Sequence, residues 1–508
     1  MRAMRIYLNI IGSAITNVLG VLAFMAIARF SGADVLGILG YWSAFVGTFG
    51  FLMCVDIESA HLRIIPSLKT AKEKGRAIGA YATLKFTFIV FSFIILILLL
   101  LLYHSSEAIS EIEMGIFIII FLSVALASYS NIFIMSFAAY GQTARQIISS
   151  IVGMLIKNIM LIILAIVGAS VILLSASYII GASITLMIAV ILFRNYPFSL
   201  PTRKEIRAYL SIGGPLMLAP ILTNIIINLD KIMLREFWDT SDVGIYFLFQ
   251  SIALSFIVIG RSMTYVMIPG FSEDITIGKT ERLRNQCNYA SRLLLLLFVP
   301  LIIFILFFSG PYLSFFLGES FRFASSMFAI LIVGSVFMIL SHPLASILVA
   351  RGRQLLILKS TALGLLASII SLILLVPESI NDFRLLGLAG LGASISFCLS
   401  SLIQFIFYWK SNREIRCYIV PKQLMTILVV SLISVLVILI SNSLFNIAGL
   451  SILSLIISPF LFIGITIYLS LQFGVLSRDD LKFIVRTISL GKIYRYIKDE
   501  INGGYHRI

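Results

Sequence analysis

Runs of about 20 apolar residues, the length that carries a helix across a bilayer core, recur fourteen times along this 508-residue chain. They fall near 6–28, 36–60, 80–103, 115–140, 148–168, 171–193, 209–230, 243–267, 287–308, 323–348, 356–376, 387–409, 423–442 and 450–472. No water-soluble surface accommodates this density: 60% of residues are hydrophobic, 12% are charged and the mean hydropathy is +1.07. The fold class is therefore all-α and polytopic, with each span satisfying its own backbone hydrogen bonds. The first run begins after Arg5, exceeds a signal-peptide core and lacks a small-residue cleavage site, which predicts a retained span.

An even number of spans puts both termini on one side, and the placement of Lys and Arg says which. Of the 38 basic residues, 28 fall in the termini and alternate loops of one side and five on the other: Arg29, Lys231, Arg235, Arg322 and Arg384. The split predicts a plasma (inner) membrane protein with cytoplasmic termini. It also accounts for most of the +15 charge without nucleic acid. The tail "LKFIVRTISLGKIYRYIKDEI" has helical amphipathic spacing suited to a membrane surface. Cys54, Cys287, Cys398 and Cys417 lack pairing or metal-site spacing, so reduced thiols, no metal and no cofactor are expected.

The chain repeats itself. "TNVLGVLAFMAIARFSGADVLGI" (Thr16–Ile38) aligns without a gap on "TNIIINLDKIMLREFWDTSDVGI" (Thr223–Ile245) at an offset of 207. "IIPS" at Ile64 answers "MIPG" at Met267. Gly153 and the "GASI" beginning at Gly181 recur as Gly364 and Gly392 at an offset of 211. Self-similarity on this scale marks duplicated architecture. Spans 1–6 form an N-lobe (1–200) and spans 7–12 a C-lobe (201–422) of the same orientation, followed by an appended helix pair (423–474) and a cytoplasmic tail (475–508). Such parallel repeats are related by an axis along the membrane normal in alternating-access transporters.

The Ala28-Arg29-Phe30-Ser31-Gly32 to Gly37-Ile38 junction, its counterpart "DKIMLREFWDTSDVGIY" and the "ARGR" before span 11 carry a resemblance. Together they resemble the polysaccharide transporter branch of the multidrug/oligosaccharidyl-lipid/polysaccharide exporter (MOP) superfamily. The resemblance implies a two-lobed, V-shaped transporter that flips undecaprenyl- or dolichyl-type lipid-linked sugars from the cytoplasmic to the outer leaflet.

Charges inside spans narrow the function. Lys85, Arg292 and Lys359 lie near cytoplasmic ends, where long stems reach the interface. Lys157 lies about nine residues inside span 5, near 14 Å at ~1.5 Å per residue, too deep for that route. It shares a face with Ser150 and Gly153, and its counterpart in the second copy is Ser368. It reads either as a phosphate-binding cation in a central cavity or as half of a buried ion pair. Arg261 in span 8 corresponds to Glu58 in span 2; with Asp56, these form either a cytoplasmic gate or a phosphate and proton-coupling site. Asn17, Asn224 and Asn228, on i, i+4 stripes of spans 1 and 7, suit sugar hydroxyls or interhelical bonds. Pro215 and Pro220 remove backbone donors and favour a hinge in span 7.

The expected function is a flippase for a polyisoprenyl-pyrophosphate-linked oligosaccharide in cell-surface polysaccharide assembly. A coupling ion, H+ or Na+, and glycan polymerase or glycosyltransferase partners belong to this reading. The alternatives are a cation-coupled multidrug exporter or a lipid II flippase of the same superfamily. A drug exporter calls for an acid in span 1, and none is present. A membrane polymerase or ligase is disfavoured because His61, His104, His342 and His506 are scattered and no nucleotide loop, metal cluster or triad pattern occurs.

Overall fold

The computed structural model describes residues 2–54, 57–104, 110–415, 421–447 and 451–477. The tail and its amphipathic stretch lie outside them. Sixteen α-helices and one two-stranded hairpin occur among the described residues. Twelve of these helices are long and apolar enough to cross a membrane, and thirteen spans result if one bent pair is counted as one.

Two of the fourteen expected spans differ, each for a local reason. Span 2 is broken: α2 (Ala33–Phe49) is followed by a 3-10 turn (Phe51–Cys54) and α3 (Glu58–Ser67), with a bend of 73°. Side chains of α4 (Ala71–His104) and α5 (Glu111–Ala139) donate to the exposed backbone carbonyls of this break. Ser92 Oγ donates to Gly50 O at 3.3 Å, Ser128 Oγ to Met53 O at 2.9 Å and Lys85 Nζ to Met53 O at 3.4 Å. Broken helices persist at membrane depth where neighbours satisfy the freed carbonyls in this way. Span 8 is divided at Phe256 into α9 (Thr240–Ser255) and α10 (Ile257–Ile277). The first has only 16 residues, and the second carries Arg261, Glu273 and Asp274.

The chain groups into two compact units. Among the described residues, one comprises those up to 255 and 361–397, the other 256–360 and those from 398 to 477. In the first, α6 (Thr143–Ile166) and α7 (Val171–Phe193) pack together, and α6 also packs on α1 (Arg2–Ala26). Here too α2 crosses α9. A Cβ at Gly37 would lie 1.9 Å from the Thr240 carbonyl oxygen, and one at Gly244 would lie 1.9 Å from the Ala33 carbonyl oxygen. Gly244 lies 207 residues after Gly37, and Thr240 lies 207 after Ala33, so the contact is reciprocal in the offset of the sequence repeat. A two-fold relation produces such self-complementary pairing, and only glycine permits the backbones to approach so closely.

The core at one end of this unit joins α3, α4, α5 and α8 (Arg203–Phe237) through Ile65, Ile78, Tyr81, Phe137 and Tyr209. The second unit has its own core of Phe271, Leu283, Cys287, Leu344 and Tyr408, from α10, α11 (Thr280–Leu317), α12 (Ser325–Ala350) and α14 (Ala389–Ser411). Cys287 and Cys398 are not in disulfides, and no cluster of metal-ligating side chains occurs among the described residues.

Candidate functional site

Lys157 stands where α6 and α7 are closest. A Cβ at Gly153 would meet the Gly181 carbonyl oxygen at 2.4 Å, and one at Gly181 would meet Lys157 Cβ at 2.7 Å. The lysine stem therefore lies across a helix crossing made by two glycines. Its Nζ sits 4.9 Å from the centroid of the Tyr178 ring. No ion pair to Lys157 occurs among the described residues, so the alternative of a carboxylate partner is not what they contain. A cation–π contact contributes about 0.5–2 kcal/mol, whereas a lysine at bilayer depth costs about 2.5–3.5 kcal/mol on insertion scales. The ring alone does not offset the charge, and the ammonium retains hydrogen-bonding capacity for an anion. Next to it, Asn158 is buried and donates to Thr16 O at 3.3 Å, tying α6 to α1.

The second copy keeps the frame and drops the charge. Thr185 Oγ1 donates to Gly181 O at 3.0 Å, and its counterpart Ser396 donates to Gly392 O at the same distance. Ser368, the counterpart of Lys157, is 2% exposed.

Glu58 is engaged by a residue expected elsewhere. Lys85 does not extend to the interface: it is 1% exposed, and its Nζ lies 3.1 Å from Glu58 Oε1. The break after Gly50 explains this correction, because it brings the start of α3 and the Met53 carbonyl against α4 at a depth where Lys85 has partners. Asp56 and the side chain of Arg261 lie outside the described residues, so the expected Glu58–Arg261 approach falls there too.

The asparagines are placed within the helix packing. Asn17 Nδ2 donates to Ser13 O at 2.7 Å, Asn224 Nδ2 to Gly47 O at 2.5 Å, and Asn228 Nδ2 to Asn224 O and Oδ1 at 2.9 and 3.1 Å. Asn224 thus links α8 to α2. Helix α8 runs unbroken through Pro215 and Pro220; the side chain of Pro215 is outside the described residues.

Two polar clusters were not anticipated from sequence. Lys231, assigned above to an external loop, is instead inside α8 and 2% exposed. The correction follows from helix length: α8 continues to Phe237, seven residues beyond the expected end of span 7. Lys231 Nζ lies 3.0 Å from Asp230 Oδ1 and also donates to Gln250 Oε1 and Ile227 O. Tyr246 and Gln250 of α9 donate to the other carboxylate oxygen, Asp230 Oδ2, each at 2.5 Å. The adjacent Asp-Lys pair and a Gln in the middle of α9 were the available signals.

The second cluster surrounds His61, which is wholly buried. Ser136 Oγ donates to Ile132 O at 2.7 Å, so it accepts from His61 Nε2 at 2.9 Å; the Tyr209 hydroxyl then donates to His61 Nδ1 at 2.6 Å. The neutral imidazole is thereby fixed in one tautomer, linking α3, α5 and α8.

Comparison with known proteins agrees with this architecture. The family described as Polysaccharide biosynthesis protein matches residues 5–274, and MatE matches residues 215–374. No curated protein matches the chain. Among solved structures, the lipid II flippase MurJ in an inward closed conformation aligns with a TM-score of 0.71 and 13% identity, covering 91% of this chain and 98% of that one. An inward-facing multidrug resistance MATE transporter of the MOP superfamily aligns with a TM-score of 0.65 and 15% identity, covering 79% and 94%. A MOP superfamily transporter from Pyrococcus furiosus, described as having a binding pocket of reversed polarity, gives 0.53 and 14%, covering 82% and 95%. With more than half its length matched by one family, this many-span membrane protein belongs to the polysaccharide biosynthesis protein family and has the fold of MOP superfamily transporters.

Proposed function

We propose that the protein is a flippase, not an enzyme, which moves a polyisoprenyl-pyrophosphate-linked oligosaccharide from the cytoplasmic to the outer leaflet by alternating access. The observation that carries this reading is Lys157: a cation deep in α6, held over the Tyr178 ring and without an ion-pair partner among the described residues. Phosphate oxygens entering that site accept charge-assisted hydrogen bonds from Nζ, which are roughly twice as strong as neutral ones. Because Ser368 replaces the lysine in the second copy, one lobe holds the headgroup while the other moves. A ligand shifts such an equilibrium only through differential affinity for its two states, and a single-sided contact supplies that difference.

The remaining assignments follow the same scheme. The moving bodies are the lobes 1–200 and 201–422, with 423–474 appended and the tail 475–508 in the cytoplasm. Arg261 serves phosphate or, with Glu58 and Asp56, a cytoplasmic gate coupled to H+ or Na+. Asn17 and Asn228 present their side-chain carbonyl oxygens to sugar hydroxyls, and Asn224 the second lone pair of its Oδ1. Pro215 and Pro220 allow α8 to flex.

The test is sided labelling of the lipid-linked sugar with a membrane-impermeant reagent. Cells lacking the protein, or carrying Lys157→Gln, are expected to hold the sugar on the inner face; Lys157→Arg retains part of the export because it keeps the charge in another shape. Wild-type export by a normally abundant Lys157→Gln protein overturns the reading.

A further inference from the structure

The linker from α7 to α8, residues 194–202, has no helix and is held against α4. Ser199 N donates to Gly75 O at 3.2 Å, and a Cβ at Gly79 would lie 2.0 Å from the Ser199 carbonyl oxygen. Between linker and helix lies a groove of about 220 Å³, lined by Ala82, Thr83 and Phe86 of α4, Tyr129 of α5, and Phe198 and Leu200 of the linker. Leu200 is 85% exposed. One polar atom of the lining stands out: Ser199 Oγ is buried and has no hydrogen-bond partner among the described residues.

Basic residues flank this lining along the chain. Arg76 lies one helical turn from Gly79 on the same face of α4, and Arg203 and Lys204 follow Pro201 directly. The two acids nearby are already committed. Glu73 accepts from Thr70 N at 3.1 Å, and Glu205 accepts from Thr202 N at 2.8 Å, each closing a capping box at its own helix start. Lys204 acts electrostatically on Glu73 and Arg76 on Glu205, so the starts of α4 and α8 lie near one another.

We propose that this groove binds one anionic phospholipid, its acyl chain against Phe86 and Phe198 and its phosphate held by Arg203 and Lys204. An apolar slot followed by exposed cations complements a lipid along its length. Basic clusters beside spans attract anionic headgroups in the same sense. The site is separate from Lys157 and does not depend on the transported substrate.

Native mass spectrometry of the detergent-purified full-length protein, titrated with phosphatidylglycerol or phosphatidylcholine, tests the assignment. The Arg203→Gln/Lys204→Gln double variant changes two exposed side chains, so its fold is retained. It is expected to lose about 30-fold in phosphatidylglycerol affinity, with phosphatidylcholine binding unchanged. Thr83→Trp, from an exposed position, fills the groove and weakens both lipids. Wild-type phosphatidylglycerol binding by the double variant overturns the headgroup site. Displacement of phosphatidylglycerol by millimolar inorganic phosphate alone assigns the cations to a free anion and overturns the lipid.

Discussion

Lys157 and Lys231 are two lysines inside membrane helices, one in α6 and one in α8, in opposite conditions. Around Lys231 a carboxylate, an amide and a backbone carbonyl accept from the ammonium, while a tyrosine and the same amide complete the carboxylate. Around Lys157 there is an aromatic face and a pair of glycines. A fully satisfied buried network rigidifies and specifies packing. A half-buried cation with capacity to spare is open to a ligand. The difference separates a charge committed to the fold from one that the proposed function assigns to transport, although the two residues look alike in a hydropathy trace.

The same substitution at both positions gives the largest contrast. Lys231→Met leaves Asp230 buried against Tyr246 without its counterion, and breaking a buried pair costs about 3–5 kcal/mol. Thermal unfolding in detergent should show a lower midpoint and reduced abundance. The double change Asp230→Leu/Lys231→Met should recover most of that loss, since replacing both partners is often neutral. Lys157→Met should leave the midpoint unchanged or raised. Equal destabilisation by the two single methionine variants breaks the comparison.

A smaller effect sharpens it from the side of the ligand. If Lys157 holds phosphate, Lys157→Gln removes a charge-assisted hydrogen bond of about 1.5–3 kcal/mol, or roughly 10- to 100-fold in affinity for a lipid pyrophosphate. Lys231→Arg, which keeps the network's charge, should leave that affinity alone. Measuring both by titration of the lipid into purified protein distinguishes a binding residue from a packing one.

Lys85 lies between these extremes. Its partner Glu58 is 20% exposed, so solvent screens part of the loss, and Ser128 still donates to Met53 O when the lysine is gone. Lys85→Met should cost about 1–3 kcal/mol in unfolding free energy, less than Lys231→Met. A cost as large as that at Lys231 places the Glu58 pair among the structural networks and removes it from the gate.

How much of this was legible in the sequence depends on what kind of signal each feature leaves. Spans register as runs of apolar residues, and the glycine crossing of α2 and α9 registers as the repeated Gly-Ile at Gly37 and Gly244. Lys157 was found because its depth could be counted. Lys231 was missed because apolarity falls at Asp230, where a hydropathy reading ends the span, although the helix continues on the strength of bonds to α9. Lys85 was misread because depth along one helix says nothing about a break in its neighbour. The bend after Gly50 depends on donors from α4 and α5 far away in sequence, and no local pattern announces them.

The smallest expected effect sits at the solvated end of the same helix that buries Lys231. Thr202 caps α8, donating to Glu205 from both N and Oγ1 and accepting from the backbone of Glu205 in return. The Thr202 side-chain bond is the main reason that the Glu205 carboxyl stays below its usual range; desolvation opposes it, and the Thr202 backbone bond and Arg76 add to it. A depressed folded-state value means that this contribution is present above the unfolded carboxylate value and is lost as pH falls through the folded one. Thr202→Ala should lower stability by about 1 kcal/mol near neutral pH, and the difference from wild type should shrink on acidification. Since water screens the pair, the variant should neither deplete the protein from the membrane nor change lipid-pyrophosphate affinity. A loss matching that of Lys231→Met would mean that the linker and α8 unfold as one unit, and that burial is not what sets the scale of these effects.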